Sequence, residues 1–383
     1  MHNSLRGAAA IVGAGVYGLG ETPGQSSVEI MARAALTALT DAGLKPSDVD
    51  GVISASPVYN MASMTAAEYL GIRPRFTEST MLGGSSFVFH VTPAALALQA
   101  GLCDVVLICY GSNQRSATGR LISNSLPDPY EAPYNPRMPI TAYALAASRH
   151  MFQYGTTREQ MAEVAVAARG WAALNPEAFV REPLTVKDVL GSRMISDPLS
   201  KLDCCLVTDG GGALVLTRAD RAKDLPKAPV YVLGHATEHW HRSIAQLPDL
   251  TITAASESGR RAFEMAGLVP TDIDVAQLYD AFTINTILFL EDLGYCKKGE
   301  GGEFVADGRI APGGSFPVNT NGGGLSCCHP GMYGIFPVIE AVRQVRGEAG
   351  ERQIDDVDVA LAHGNGGVLS SQSTLVLGSG ATI

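Results

Sequence analysis

The residues best suited to catalysis lie in one short segment, residues 322–331, where three glycines are followed by Cys327, Cys328 and His329. Glycine lets the backbone approach a bound group closely, so that its N–H groups can contact an oxyanion. A histidine beside such a loop can transfer protons near neutral pH. The segment is therefore typical of a site that activates a carbonyl group.

Composition narrows the classes of protein to which such a site can belong. The chain has 383 residues, of which 46% are hydrophobic and 17% charged, which is typical of an extensively buried enzyme. Its net charge of −10 argues against nucleic-acid or anionic-membrane binding. Because the sequence has no apolar run long enough for a membrane span and starts without a secretory signal, we expect a cytoplasmic protein.

The seven cysteines do not form a recognisable metal or disulfide pattern. Cys204–Cys205 and Cys327–Cys328 are adjacent pairs, and adjacent cysteines rarely bind one zinc ion together. The sequence has neither a CxxC nor an HExxH motif. We therefore predict no metal site and a reduced environment.

An internal repeat indicates a duplicated α/β fold. Residues 42–50 read AGLKPSDVD, and residues 266–274 read AGLVPTDID. Each copy follows a helical pattern and leads into a short apolar, strand-like run. A glycine loop, a helix and a strand then follow in the same order in both parts of the chain. This order predicts mixed α/β layers in two similar halves.

One further glycine motif has a structural explanation. Residues 13–18 match GxGxxG, but a dinucleotide site needs a helix that opens directly at those glycines and an acidic residue about 20 positions later. Here a loop continues through residues 21–24, and the helical pattern starts near Ser27. We therefore interpret this segment as a strand and turn.

Four motifs together resemble the thiolase superfamily, and the similarity covers nearly the whole chain. Within the superfamily, the chain most resembles the sterol-carrier-protein or lipid-transfer-protein-like branch, which includes thiolases and steroid side-chain aldolases. The motifs are YDAFT at 279–283, PVNTNGG at 317–323, GGGLSCCHPG at 322–331 and HGNGG at 363–367.

The resemblance implies a five-layer α-β-α-β-α fold made of two duplicated halves, usually as a homodimer. We place the N-terminal half at residues 1–222 and the C-terminal half at 223–383. A proline-rich excursion at about 111–200 is expected to form an inserted loop region that supplies substrate walls.

The first-half glycine loop departs from the thiolase pattern. Thiolases carry a nucleophilic cysteine there, and its position in this chain falls at or next to Gly84, between Gly83 and Ser85. No cysteine lies there, so a covalent acyl-enzyme is doubtful. Ser85 is an alternative nucleophile that would need a nearby base, or it caps the following helix.

The other implied site residues lie in the second half. Tyr279 replaces the usual asparagine, and a phenol can donate to an oxyanion or transfer a proton. His329 falls on the thiolase Gly-His-Pro histidine, which polarises the thioester carbonyl, and Gly323 and Gly324 are expected to supply loop N–H groups. Steroid aldolases lack this histidine and carry a second tyrosine at or beside its position, so the chain mixes the two patterns.

Two further residues are candidates for proton transfer. His363 falls at or near the second thiolase cysteine, which acts as an acid and base. Cys328 is a candidate proton donor or late nucleophile, although a buried thiol is the commoner fate of such a residue.

The pattern favours retro-aldol cleavage of a 3-hydroxyacyl-CoA to a ketone or aldehyde and a shorter acyl-CoA. One alternative is a 3-ketoacyl-CoA thiolase or acyltransferase with a non-standard nucleophile, and another is a non-catalytic acyl-CoA-binding subunit of a complex. Coenzyme A is expected as part of the substrate, with no tightly bound cofactor. Members of this branch often associate with a small zinc-ribbon/OB-fold protein, which is the partner that the resemblance implies.

Overall fold

A computed structural model describes residues 5–119 and 129–383 of the chain. Residues 120–128, within the predicted inserted region, and the first four residues lie outside this part. The strands are β1 (Ala9–Gly20), β2 (Gly51–Ser54), β3 (Phe76–Glu78), β4 (Val105–Ser112), β5 (Met194–Ser196), β6 (Leu199–Ser200), β7 (Asp209–Arg218), β8 (Val230–His239), β9 (Val275–Leu278), β10 (Val359–Gly366) and β11 (Ser371–Gly378).

Helices alternate with these strands. They are α1 (Ser27–Asp41), α2 (Ala62–Leu70), α3 (Ser86–Gln99), α4 (Gln114–Thr118), α5 (Ile140–Tyr154), α6 (Arg158–Ala173), α7 (Val186–Gly191), α8 (Ala219–Ala222), α9 (Ala255–Ala266), α10 (Thr283–Asp292), α11 (Gly301–Phe304) and α12 (Ile335–Val345).

The strand order shows the duplication directly. Across the sheet, the strands of the first half lie in the order β3-β2-β4-β7-β1, and those of the second half lie in the order β9-β10-β11-β8 when counted from the opposite edge. In both sets the first pairings are parallel and the remaining ones antiparallel. Val318 pairs in parallel with Ala276 of β9, in the place that β3 occupies beside β2. A two-residue pairing of β1 with β8 joins the two sets into one nine-stranded sheet.

The repeated sequence motif folds in the same way twice. The backbone N–H of Lys45 donates to Asp48, and that of Val269 donates to Asp272, each at 2.8 Å. Asp50 then accepts from the backbone at the start of β4, and Asp274 accepts from the backbone at the start of β10. Each motif therefore ends one helix, forms one tight turn and anchors a neighbouring strand.

The helices complete the layers of the fold. Helix α1 packs on β1, β4 and β7, and α9 packs on β8 and β11. Helices α3 and α12 contact strands of both sets and contact each other, so they form the central layer. The predicted α/β fold with its α-β-α-β-α layers is thus confirmed. We propose the division into halves at residues 222 and 223, between α8 and β8.

The glycines of the GxGxxG segment lie within β1 and serve packing. A β-carbon on Gly15 would come within 2.5 Å of the Ala38 backbone nitrogen, and one on Gly13 would overlap the Ala38 carbonyl oxygen. Glycine is therefore required where α1 lies against β1. The helix starts at Ser27, where Ser26 accepts a hydrogen bond from the Glu29 N–H, so no helix opens at the glycines.

Candidate active site

A cavity of about 570 Å³ lies where the first-half glycine loop meets the carboxyl ends of β9 and β10. Ligand sites in α/β sheets commonly form at such strand ends. The walls combine apolar side chains with a few polar groups. The polar or backbone-exposing lining residues include Gly83, Gly84, Tyr143, Cys205, His239, His241, Arg242, Tyr279, His329 and Asn365.

Tyr279 and His329 form a hydrogen-bonded pair in this cavity. The Tyr279 hydroxyl lies 3.1 Å from Nε2 of His329, and the two rings meet edge to face. The His329 backbone is fixed, because its N–H donates to Thr208 at 3.0 Å and its carbonyl accepts from Gln114 at 2.8 Å. The sequence named both residues, and the fold brings them into direct contact.

The environment of the pair keeps both groups neutral. Burial raises the pKa of the Tyr279 phenol well above its ordinary value and lowers the pKa of His329 to about 4. The backbone N–H of Tyr333 donates to the Tyr279 oxygen at 3.2 Å, which leaves the phenol hydrogen for Nε2 of His329. Nδ1 of His329 has no hydrogen-bond partner among the residues that the structure describes.

Gly84 lies against Tyr279, and the contact leaves no room for a side chain. A β-carbon at position 84 would lie 2.5 Å from the carbonyl oxygen of Asn365 and would overlap the Tyr279 ring and hydroxyl. Gly83 has a φ of +67°, which a residue other than glycine rarely adopts. The phenol of Tyr279 therefore occupies the space that a nucleophile at position 84 would need.

Gly323 and Gly324 do not act as the sequence suggested. Their N–H groups donate to Asn321 at 2.8 Å and to Asp280 at 2.5 Å, and neither residue lines the cavity. A β-carbon at Gly323 would overlap the Asp280 carboxylate, which explains the glycine. Burial raises the pKa of Asp280 to about 7. These glycines shape the loop that carries His329, and their N–H groups are not free to bind an oxyanion.

Three other predicted site residues lie outside the cavity lining. Ser85 is buried and its hydroxyl bonds to Leu82 and Ser371, so it holds the loop in place. Cys328 is fully buried, and burial raises the pKa of its thiol well above the ordinary value. Both placements differ from the expected nucleophile roles.

His363 is also placed away from the reacting groups. It lies inside β10, where Nδ1 is 2.9 Å from the Thr374 hydroxyl and Nε2 is 2.9 Å from Oε1 of Gln372. Burial lowers its pKa to about 4. Both ring nitrogens are occupied, so it does not reach the substrate as the expected acid or base. His363 and Asn365 lie on the same face of β10, because side chains two residues apart share a face. The cavity is lined by the carboxyl end of this strand, at Asn365, Gly366 and Gly367, and His363 lies further back along it.

Several residues that line the cavity were not predicted from the sequence, and three of them are Asn365, Tyr143 and Cys205. Asn365 lies within the HGNGG motif, and only its register was needed to identify it. Tyr143 comes from α5 in the inserted region, and Cys205 comes from the segment before β7. No local motif marks these two. The Cys205 N–H donates to the Ala281 carbonyl at 2.9 Å, which brings this segment to the cavity wall, and burial raises the pKa of the thiol well above its ordinary value.

Residues 5–119 and 129–383 contain no group of three or more potential ligands placed to hold a metal ion. Within the same residues, no helix has both the length and the apolar character required to cross a membrane.

Comparison with known proteins assigns the family. Residues 236–379 match the thiolase C-terminal domain-like family. The chain is 35% identical over 398 residues to a steroid side-chain-cleaving aldolase of Thermomonospora curvata, covering 98% of this chain and 99% of that protein. The protein belongs to the thiolase superfamily. It lies in the sterol-carrier-protein-like branch, which confirms the resemblance seen in the motifs.

Two further relatives agree with this assignment. The 17-hydroxy-3-oxo-4-pregnene-20-carboxyl-CoA lyase of Mycobacterium tuberculosis is 36% identical over 365 residues, covering 90% of this thiolase-superfamily chain and 92% of that protein. The solved Ltp2-ChsH2(DUF35) aldolase superposes with a TM-score of 0.90 at 35% identity, covering 98% of both chains.

Proposed function

We propose that this protein cleaves the bond between the α- and β-carbons of a 3-hydroxyacyl-CoA by a retro-aldol reaction. The products are a ketone or aldehyde and a shorter acyl-CoA. Full-length relatives that are named as an aldolase and a lyase support this reaction class. Coenzyme A enters as part of the substrate, as the name of the lyase implies for that relative.

The contact between Gly84 and Tyr279 carries the proposal. A thiolase needs a nucleophile to accept the acyl group, and the resemblance places it at or next to position 84. Here the Tyr279 phenol fills that space, and a β-carbon at position 84 would overlap it. The site has therefore exchanged a covalent nucleophile for a proton-transferring hydroxyl, and a retro-aldol cleavage needs only the latter.

The Tyr279–His329 pair can start the reaction without a preformed phenolate. Tyr279 takes the proton of the β-hydroxyl while its own proton passes to Nε2 of His329. The oxygen forms the new carbonyl, the bond between the α- and β-carbons breaks, and its electron pair enters the thioester as an enolate. The proton then returns through Tyr279 to the α-carbon, which leaves the pair as it began.

The thiolase alternative has less support from this geometry. Ser85 and Cys328 do not line the cavity, and Cys205, which does, is held as a thiol rather than a thiolate. The acyl-CoA-binding alternative does not account for the hydrogen bond between Tyr279 and His329 in the cavity, because binding alone requires no proton-transferring pair.

A panel of 3-hydroxyacyl-CoA and 3-ketoacyl-CoA thioesters, each incubated with and without free CoA, tests the proposal. We expect 3-hydroxyacyl thioesters to be cleaved without free CoA and 3-ketoacyl thioesters to persist. Mass spectrometry of the protein should show no added acyl group. Cleavage of 3-ketoacyl-CoA only with free CoA, or a trapped acyl-enzyme, would contradict the proposal.

We further propose that the acyl chain is a steroid side chain or a comparable apolar group, and that the enzyme works as a homodimer with a small DUF35-type partner. The names of the relatives support the substrate class and the partner. Met81, Met138 and Val368 give the cavity apolar walls. Co-expression with a DUF35 protein encoded nearby should raise the cleavage rate, and an unchanged rate with no co-elution would contradict the partner.

A further inference from the structure

Tyr143 lines the cavity but takes no part in the proton transfer between Tyr279 and His329. It lies on α5 with its ring packed on Phe282 at a centroid distance of 4.5 Å. Its side chain is almost fully buried, but it lines the cavity. The Asn365 amide nitrogen donates to its hydroxyl oxygen at 2.8 Å, and the Gly367 carbonyl lies 3.2 Å from the same oxygen.

A chain of hydrogen bonds behind Asn365 fixes the direction of this contact. Gln372 donates its amide N–H to Oδ1 of Asn365 at 2.8 Å, so the Asn365 amide nitrogen faces Tyr143. Oε1 of Gln372 therefore faces Nε2 of His363, and the Thr374 hydroxyl bonds to Nδ1 of the same ring. Every group in the chain has a defined donor or acceptor role.

The direction of the chain determines what Tyr143 offers to a ligand. Its oxygen already accepts from Asn365, so its own hydrogen must be donated. The protein acceptor is the Gly367 carbonyl, at the long end of hydrogen-bond distances. Burial raises the pKa of Tyr143 to about 12, so the hydroxyl remains a donor near neutral pH. A substrate oxygen in the cavity can accept this hydrogen.

The enolate of the proposed reaction needs such a donor. The Tyr279 hydroxyl is committed to proton exchange with His329, and the N–H groups of Gly323 and Gly324 are bonded within their own loop. The glycine N–H groups expected to stabilise the oxyanion are thus not available, and His329, which lines the cavity, is the proton partner of Tyr279. Tyr143 is a buried, neutral hydroxyl at the cavity wall, and a fixed donor of this kind can stabilise charge that develops on a bound oxygen.

We propose that Tyr143 is a further catalytic residue, which donates a hydrogen bond to the thioester oxygen as it becomes an enolate. Asn365, Gln372 and His363 are positioning residues that hold the Tyr143 hydroxyl in this direction. Tyr143 transfers no proton; it stabilises the negative charge on the oxygen until the α-carbon is protonated. The inference rests on the proposed function only in requiring an enolate.

Exchange of the α-hydrogens of acetyl-CoA and propionyl-CoA with D₂O isolates enolate formation from carbon–carbon cleavage. We expect the full-length Tyr143→Phe protein to exchange about a hundredfold more slowly than the unaltered protein, since one oxyanion donor is lost. Its Kd for the same acyl-CoA should change by less than about threefold, because the contact strengthens only as charge develops. Tyr154→Phe, on the same helix but bonded to Gln153, is the matched control and should exchange normally.

Equal exchange by Tyr143→Phe and the unaltered protein would overturn the proposal, and so would an unaltered protein that shows no exchange. Melting temperature distinguishes a folding defect from a catalytic one, because Phe keeps the ring packing. The two proposals can fail separately. If hydrogen exchange at the α-carbon depends on Tyr143 but no 3-hydroxyacyl-CoA is cleaved, the retro-aldol function is contradicted and the role of Tyr143 is supported.

A double-mutant cycle tests the positioning chain. Gln372→Met removes the contact to Asn365 at similar side-chain volume, and we expect exchange to slow by roughly tenfold. In the Tyr143→Phe background the same change should have no further effect, because its action passes through the Tyr143 hydroxyl. Equal losses in both backgrounds would show that Gln372 acts independently and would overturn the chain.

Discussion

The two glycine loops at the cavity occupy equivalent places in the two halves of the fold, but they contribute different things. The first, residues 83–85 before α3, offers only backbone beside Tyr279. The second, residues 323–327 before α12, has its leading N–H groups bonded to Asn321 and Asp280 and contributes the side chain of His329. The first loop has no side chain at the cavity beside Tyr279, and the N–H groups of Gly323 and Gly324 in the second loop are not free to bind a ligand.

This difference shows how a duplicated scaffold can change chemistry. Tyr279 fills the space left by the bare first loop and uses the histidine of the second as its partner. Beside the expected position of the nucleophile the structure has a phenol–imidazole pair, and the N–H groups of the second loop are bonded within that half. Substitutions in the two loops and in Tyr279 test this difference.

Tyr279→Phe should have the largest effect, because it removes the one hydroxyl that the second loop activates. We expect the rate of 3-hydroxyacyl-CoA cleavage to fall about a thousandfold, the range for a general acid–base group. Steady-state kinetics measure the loss. Tyr295→Phe is the matched control, since its buried hydroxyl has no hydrogen-bond partner among the described residues; activity retained by Tyr279→Phe would remove the phenol from the mechanism.

Gly84→Ala should come next, because its β-carbon displaces the Tyr279 ring. We expect cleavage to slow by about a hundredfold and unfolding free energy to drop by about 1–3 kcal/mol, as for other overpacked sites. Gly191→Ala is the control, since no atom lies within 4 Å of its added carbon. A fully active Gly84→Ala enzyme would contradict the steric coupling.

The paired variant Gly84→Cys with Tyr279→Asn sharpens the same point. It restores both thiolase residue types at once and removes the contact with the tyrosine ring, although the Asn365 carbonyl must still move away from the added β-carbon. We expect this variant to form an acyl-enzyme with an acyl-CoA, detected by mass spectrometry. Gly84→Cys alone should not acylate, because Tyr279 still fills the space.

His329→Gln should slow cleavage by about tenfold to a hundredfold and change the pH dependence of stability. His329 has its pKa lowered from 6.5 to about 4, so the unfolded chain binds a proton that the folded one refuses between these values. Unfolding free energy therefore falls as pH decreases from 6.5 towards 4. Removing this histidine should reduce that slope by about 1.4 kcal/mol per pH unit.

Denaturant titrations across this pH range measure the slope. His90→Gln is the matched control, because burial also lowers the pKa of His90 to about 4 while its ring bonds to the Thr80 carbonyl outside the cavity. It should reduce the slope equally and leave cleavage unchanged. A slope that is unaltered in His329→Gln would mean that His329 is not buried in its neutral form.

Ser85→Ala should have the smallest effect on activity. Its hydroxyl bonds to Leu82 and Ser371 and does not line the cavity, so we expect a cleavage rate within about twofold and a stability loss of about 1 kcal/mol. Thermal unfolding and the cleavage assay measure the two effects. A loss of activity as large as that of Tyr279→Phe would restore Ser85 as a nucleophile.

Local pattern in the sequence was sufficient for much of the fold and for part of the site. The repeat at residues 42–50 and 266–274 predicted the duplication, because each copy contains the residues that form its own turn. Tyr279 and His329 were found through motifs. His363 was assigned to the cavity although it lies inside β10, because a glycine-rich motif does not show how far along the strand the cavity begins.

The elements, the duplication and the residue types at the centre of the site are evident in the chain's local patterns, since helix caps, turns and strand patterns depend on near neighbours. Three features required the folded protein: Tyr279 fills the space beside Gly84, the N–H groups of Gly323 and Gly324 are already bonded, and Tyr143 lines the cavity. Each of these depends on contacts between distant segments, where sterics and hydrogen-bond partners follow from the packing of the two halves rather than from any short stretch of chain.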